Sequence, residues 1–154
     1  MAPNASMSAI SIDTSWECEA GALVASARAA FDPSSSWWRH AQGGVWGSAG
    51  ERMSSSQAQQ AARRNALERD SQLLEHEQIH FDIAEVTARK IRARFADFKN
   101  ACAEAGGTDA IHQMVVEADR ELQEEQQRYD RETGHGTNVR AQDQWKRRIR
   151  ALLN

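Results

Sequence analysis

Residues 73–85 read Leu73-Leu74-Glu75-His76-Glu77-Gln78-Ile79-His80-Phe81-Asp82-Ile83-Ala84-Glu85. They lie inside a run, Gln57 to Ala105, that contains neither Gly nor Pro. Downstream, Ile83, Thr87, Ile91, Phe95, Phe98 and Cys102 recur at spacings of three and four. That period marks the buried stripe of an amphipathic helix. One unbroken helix over the whole run would be about 70 Å long at ~1.5 Å per residue, too long for a small domain. A break is therefore expected near Asp70-Ser71, where either side chain can cap a new helix. The second helix then spans about Ser71 to Glu104, and Gly106-Gly107 stops it.

Working outward, the chain changes character near residue 56. Upstream it is rich in Ser, Gly and Trp and holds both prolines. Ile10, Ile12, Thr14, Trp16 and Cys18 alternate with polar residues, the period of a half-buried strand. Glu19-Ala20-Gly21 reads as a turn, and Leu23 to Phe31 pairs back as a hairpin, although its alanines also permit a helix. Phe31-Asp32-Pro33 should end that strand, because Pro cannot donate to a ladder. Residues 34–56 read as an irregular loop whose Trp37, Trp38 and Trp46 pack over the domain or line a groove. Downstream, a helix fits Asp109 to Arg128, with Ile111, Val115, Ala118, Leu122 and Tyr129 on one face. Gly134 and Gly136 bracket a turn at His135. A last helix fits Asn138 to Leu153, with Gln142, Trp145, Ile149 and Leu152 inward. Its Lys146, Arg147, Arg148 and Arg150 suit the negative end of the helix dipole. The expected fold class is α+β: a small N-terminal antiparallel sheet or hairpin, a long helix, and two further helices. Residues 1–9 read as a disordered arm and 10–154 as one domain.

The chain has 154 residues, net charge −3, 40% hydrophobic and 27% charged residues, which is the profile of an ordinary globular domain. The near-neutral balance gives no field to gather nucleic acid. No stretch approaches the roughly 20 apolar residues of a membrane span. Met1 to Ser11 has no Lys or Arg and no long apolar run, so it does not read as an export signal. Cys18 and Cys102 form no CxxC pair and read as two small buried or idle thiols. The alternative is one long-loop disulfide, which would imply an oxidising compartment.

His76-Glu77-Gln78-Ile79-His80 carries the chemistry. A chain of this composition contains His-Glu-x-x-His by chance about 1% of the time, before any demand that it be helical. Residues four apart on a helix sit one above the other, about 6 Å apart at Cβ. Two imidazoles so placed can share one Zn²⁺ at ~2.0–2.1 Å. Glu77 projects to the side, where it can take a proton from a metal-activated water without ligating the ion. A catalytic zinc needs a third protein ligand and an open position. His135, flanked by two glycines, is the best candidate, since a Gly-rich turn can approach a metal closely. His40 and His112 read as solvated. Glu85 lies ~13 Å along the helix from His76 and cannot share the ion. Asp82 reads as a partner for a ligating ring.

Residues 73–85 resemble a bacterial family of predicted secreted Zn-dependent proteases, a domain of unknown function in the zincin-like metallopeptidase clan. Tyr129-Asp130, Thr133, His135-Gly136, Asn138, Gln142 and Trp145 are similar to that family's C-terminal signature. Phe31-Asp32-Pro33 with Ser36-Trp37 is similar to its N-terminal one. The resemblance implies a zincin-like fold and a zinc metalloprotease acting on a peptide or protein substrate. It implies metal ligands His76, His80 and His135, Glu77 as catalytic acid/base, and Tyr129 as an oxyanion stabiliser. It also implies a periplasmic or secreted location, while the missing signal leaves the cytoplasm open. The alternative is a catalytically inactive binding or scaffold module with structural zinc.

Overall fold

The computed structural model describes residues 5–39 and 55–154. The class is α+β, as expected: an antiparallel hairpin, β1 (Ala5–Glu19) and β2 (Ala22–Arg39), then α1 (Ser55–Phe95), α2 (Gly107–Thr133) and α3 (Val139–Leu153). Residues 5–9, expected to belong to a disordered arm over residues 1–9, are part of β1.

Ala20 and Gly21 form a two-residue turn with φ +50° and +82°, the left-handed pair whose twist suits a tight hairpin. From there the register runs unbroken from Glu19↔Ala22 to Ala9↔Asp32. Ile10, Ile12, Thr14 and Trp16 are half-buried toward the helices, whereas Ser11, Asp13, Ser15 and Glu17 face solvent.

Pairing does not stop at Pro33, contrary to the sequence reading. It resumes at Met7↔Trp37 after an irregularity in which residues 33–36 lie opposite the single step at residue 8. The proline sits in that bulge, where no ladder N–H is needed. Asp32 holds the detour by accepting from the Ser34 amide at 2.8 Å and the Ser34 hydroxyl at 2.6 Å. The hydrogen bond from the Ser34 side chain, above all, lowers the Asp32 carboxyl to about 2. The Ser36 hydroxyl accepts from the Ala9 amide at 3.0 Å and donates to the Asp32 carbonyl. Trp37 and Trp38 thus lie on a strand rather than in a loop, while Trp46 and His40 fall outside the described residues.

No break occurs at Asp70-Ser71. Helix α1 runs 41 residues, about 60 Å. It reaches that length by leaving most of residues 59–74 against solvent: Leu67 is 70% and Leu74 is 63% exposed. Its second half is the spine of the core. Ile79, Ile83 and Val86 meet Leu122 and Tyr129 of α2, Trp145 and Ile149 of α3, and Ile10 and Ile12 of the hairpin. Further along, Ile91 and Phe95 meet Ala27, Ile111 and Met114. The small side chain of Ala27 lets α1 lie close on β2, and Arg92 donates to its carbonyl at 2.6 Å.

The helix also ends earlier than expected. A 3₁₀ turn at Ala96–Phe98 and further turns carry the chain to Gly106, which takes φ +75°. At Gly107 a Cβ would stand 2.3 Å from the Ala101 carbonyl oxygen, so only Gly fits there. Cys102 lies in these turns rather than on a helical stripe, and it is disulfide-bonded to Cys18 across a Cα–Cα distance of 5.7 Å. The reading of two idle thiols is thus corrected. Among the described residues, no helix is long and apolar enough to cross a membrane.

Candidate metal centre

The motif lies at the point where α1 passes from solvent into the core. His76 is 3% exposed, and the His80 side chain is 13% exposed. The two Nε2 atoms stand 3.1 Å apart, as the i, i+4 spacing predicts. Asp130, near the end of α2, points Oδ1 at both: 3.1 Å from His76 Nε2 and 2.8 Å from His80 Nε2. Among the described residues these three form the one group of His, Cys, Asp or Glu atoms close enough to hold a metal ion. Ligand atoms around a tetrahedral zinc at ~2.0–2.1 Å lie roughly 3.3 Å from one another. An expansion of a few tenths of an ångström would admit the ion. Two imidazoles and one carboxylate are also a donor set that zinc accepts.

Electrostatics tie the three together. Burial pushes the Asp130 carboxyl up, but hydrogen bonds from His76 and His80 and their charge outweigh it and hold the group well below the usual carboxylate range. Burial pulls His80 down, and the hydrogen bonds to Asp130 and Gln126, with the charges of Asp130 and Glu77, reverse that to a net rise.

Gln126 orients His80. Its Oε1 is hydrogen-bonded to His80 Nδ1, and its Nε2 donates to the His80 carbonyl at 2.9 Å. With a proton fixed on Nδ1 by this acceptor, Nε2 is the nitrogen left to ligate an ion in place of its bond to Asp130. Sequence reading assigned this task to Asp82, but Asp82 instead accepts from Gln78 at 2.8 Å. Glu85 is engaged by Arg92 and Arg89, away from the site.

Tyr129 takes a different place from the oxyanion donor expected above. It is fully buried, stacks on the His76 ring at 4.7 Å, and meets His80 edge-on at 4.8 Å. Its hydroxyl donates to the His76 carbonyl at 3.4 Å. Burial, then the Asp130 charge, pushes its pKa well up, so the phenol stays neutral. It is the wall that sets both imidazole planes. Trp145 supports it from α3 at 5.3 Å, and its indole N–H donates to Glu132 at 2.7 Å.

His135 stands at the rim. It follows the Gly134 cap of α2, with φ +52°. Its side chain is 78% exposed, and Nδ1 is 3.6 Å from Asp130 Oδ1. The structure brings it next to the cluster but not into it. Asp130 is the residue that sequence reading missed, although Gln126 and Asp130 lie one helical turn apart on the face of α2 that meets the motif. His112 is exposed on α2, 6.2 Å from the Trp16 ring, and is not one of the clustered ligand residues. Glu77, half-buried, follows His76 and bears electrostatically on His80 and Tyr129.

The turn after α2 approaches the site because Gly136 has no side chain. At φ +82°, a Cβ there would lie 3.1 Å from His76 Cβ and Cγ. Gly136→Ala should therefore lose about 1–2 kcal/mol from the left-handed backbone alone, and more if His76 must move. Thermal melts of the two proteins check this. An alanine variant that melts like the wild type would show that the contact is slack.

Among known proteins, the family described as "Bacterial protein of unknown function (DUF922)" matches residues 51–136. No curated protein and no solved structure gives a significant match. The matched span contains His76, Glu77, His80, Gln126, Tyr129, Asp130 and His135.

Proposed function

Since the chain belongs to this bacterial family of unknown function, we propose, from the chemistry of its own residues, that it is a zinc-dependent peptidase of the zincin-like type. The observation that supports this is the convergence of His76 Nε2, His80 Nε2 and Asp130 Oδ1, with Glu77 next to His76 on the same helix. These three residues would hold the ion. Zinc bound by three protein groups supplies Lewis acidity, making water acidic near neutral pH and polarising a carbonyl oxygen. Glu77 is rotated by ~100° from His76 around the helix axis. It is the group to accept a proton from the attacking water and return it to the leaving amine. Gln126 and Tyr129 keep the imidazoles fixed, so that no reorganisation is needed when a peptide binds. The Cys18–Cys102 disulfide suits an oxidising compartment, in keeping with a periplasmic or secreted protein.

The third ligand has a direct test in metal titration of the chelator-stripped protein. Asp130→Ala should weaken zinc binding by about 100-fold, the upper end of what even an outer-shell partner costs, whereas His135→Ala should change it by less than about threefold. Cleavage of an unstructured protein should stop on chelation and return with zinc. Stripped wild type that takes up no zinc, or cleavage indifferent to the chelator, would overturn the proposal.

One observation favours a second reading. His135 Nδ1 is 3.6 Å from Asp130 Oδ1, near enough for the rim to swing in as a fourth ligand. A site closed in this way would be structural zinc in a binding module. His135→Ala would then weaken zinc binding as much as Asp130→Ala does.

A further inference from the structure

Three side-chain atoms among the described residues are buried without a hydrogen-bond partner: His76 Nδ1, Arg128 Nε and Gln142 Oε1. They differ in sign. Arg128 Nε is a donor only, and Glu132 lies 3.4 Å from it. Gln142 Oε1 is an acceptor. His76 Nδ1 becomes a donor whenever Nε2 offers its lone pair to a metal ion. The His76 ring and the Gln142 amide oxygen both lie against one glycine. An ideal Cβ at Gly136 would be 3.1 Å from His76 Cγ and 3.4 Å from Gln142 Oε1.

Gln142 is itself rigidly placed. It is 2% exposed on α3, and its Nε2 donates to the Gln72 carbonyl at 3.1 Å and reaches Glu75 Oε2 at 3.4 Å. Both contacts are to residues of α1 just before His76. With the amide nitrogen so engaged, the oxygen must point the other way, over Gly136. The arrangement repeats what Gln126 does for His80, where an amide oxygen meets Nδ1 and the amide nitrogen is anchored on α1 backbone.

We propose that Gln142 is the positioning residue for His76. Its Oε1 accepts the hydrogen bond of His76 Nδ1–H across Gly136, directly or through one buried water, and so commits Nε2 to the metal. Each motif histidine then has its own glutamine, one from α2 and one from α3. This inference rests on the reading of His76 and His80 as zinc ligands.

The experiment combines histidine-ring nitrogen NMR with zinc titration of the full chain. Zinc-loaded wild type should show a slowly exchanging ring N–H at His76 Nδ1, and Gln142→Leu should lose it. Zinc should bind Gln142→Leu about 10- to 100-fold more weakly. Gln142→Glu keeps an acceptor oxygen but not the donor, and should remain within about threefold of wild type. A residue that only braces α1 through its amide nitrogen would fail equally in both variants. Equal weakening by Leu and Glu, or a Leu variant that binds like wild type, overturns the proposal. Should the Leu variant not fold, the zinc-loaded wild-type spectrum decides, since a His76 Nδ1 without a bonded proton there also overturns it. Wild type that takes no zinc defeats the zinc reading and this pairing with it, whereas zinc bound tightly with no proton at His76 Nδ1 defeats the pairing alone.

Discussion

Replacing Glu77 by Gln is expected to lower peptide hydrolysis by about 10²- to 10⁴-fold, the usual contribution of a positioned general base, while zinc occupancy stays unchanged. The substitution keeps shape and removes one charge and one proton acceptor. Glu77 is outside the group of ligand atoms formed by His76, His80 and Asp130. The ion should therefore stay. Its charge does act on His80, which it helps to keep protonatable, so zinc affinity must be measured on the same variant. Turnover of an unstructured protein by wild type and variant, at matched zinc occupancy, gives the result. Equal turnover would remove Glu77 from the chemistry. Zinc bound tightly by both proteins with no turnover in either would favour the scaffold reading.

Loss of the Cys18–Cys102 disulfide should cost about 4–5 kcal/mol, or some three powers of ten in the folding equilibrium. The bridge closes a separation of 84 residues. In the chain-entropy account a loop of that length restricts the unfolded state by about this amount. It fastens the end of the hairpin to the turns between α1 and α2. Near it, the core joins elements distant in sequence, with Ala27 and Trp16 set against Ile111 and Phe95. The Cys18→Ala/Cys102→Ala variant should melt roughly 10–20 °C lower, at ~2–4 °C per kcal/mol for a chain of this size. Urea unfolding of oxidised wild type against the double variant measures it. A difference below about 1 kcal/mol would mean that native-state strain or a structured unfolded chain cancels the effect.

What the sequence discloses follows the range over which each interaction acts. The His76–His80 pair is legible because helix geometry over four residues is local. The hairpin is legible from period two and from the turn signal Glu19-Ala20-Gly21. Asp130 is not, since it reaches the motif only after α1 and α2 pack, and nothing local separates it from the other acidic residues of α2. Gln126 is hidden for the same reason. The break expected at Asp70-Ser71 rests on compactness, a property of whole domains, and α1 escapes it by leaving Leu67 and Leu74 in water. The proline rule fails at Pro33 because the chain loops out four residues and pairs again at Trp37. The cysteine pairing depends on where α1 ends, and Gly106-Gly107 marks only the far side of that turn.

Helix α1 joins two segments of unequal stability on one continuous backbone. Residues 59–74 are mostly exposed, so their helical state rests largely on propensity and on the turns that follow. Residues from Ile79 onward can open only if the core opens with them. His76 and His80 straddle the junction. A ligand that grips both, with Asp130 as the third point, would raise the free energy of local opening as well as that of global unfolding. Part of its affinity would then be spent on fastening the exposed stretch of the helix to the core, which couples occupancy of the site to hydrogen-exchange protection upstream of it.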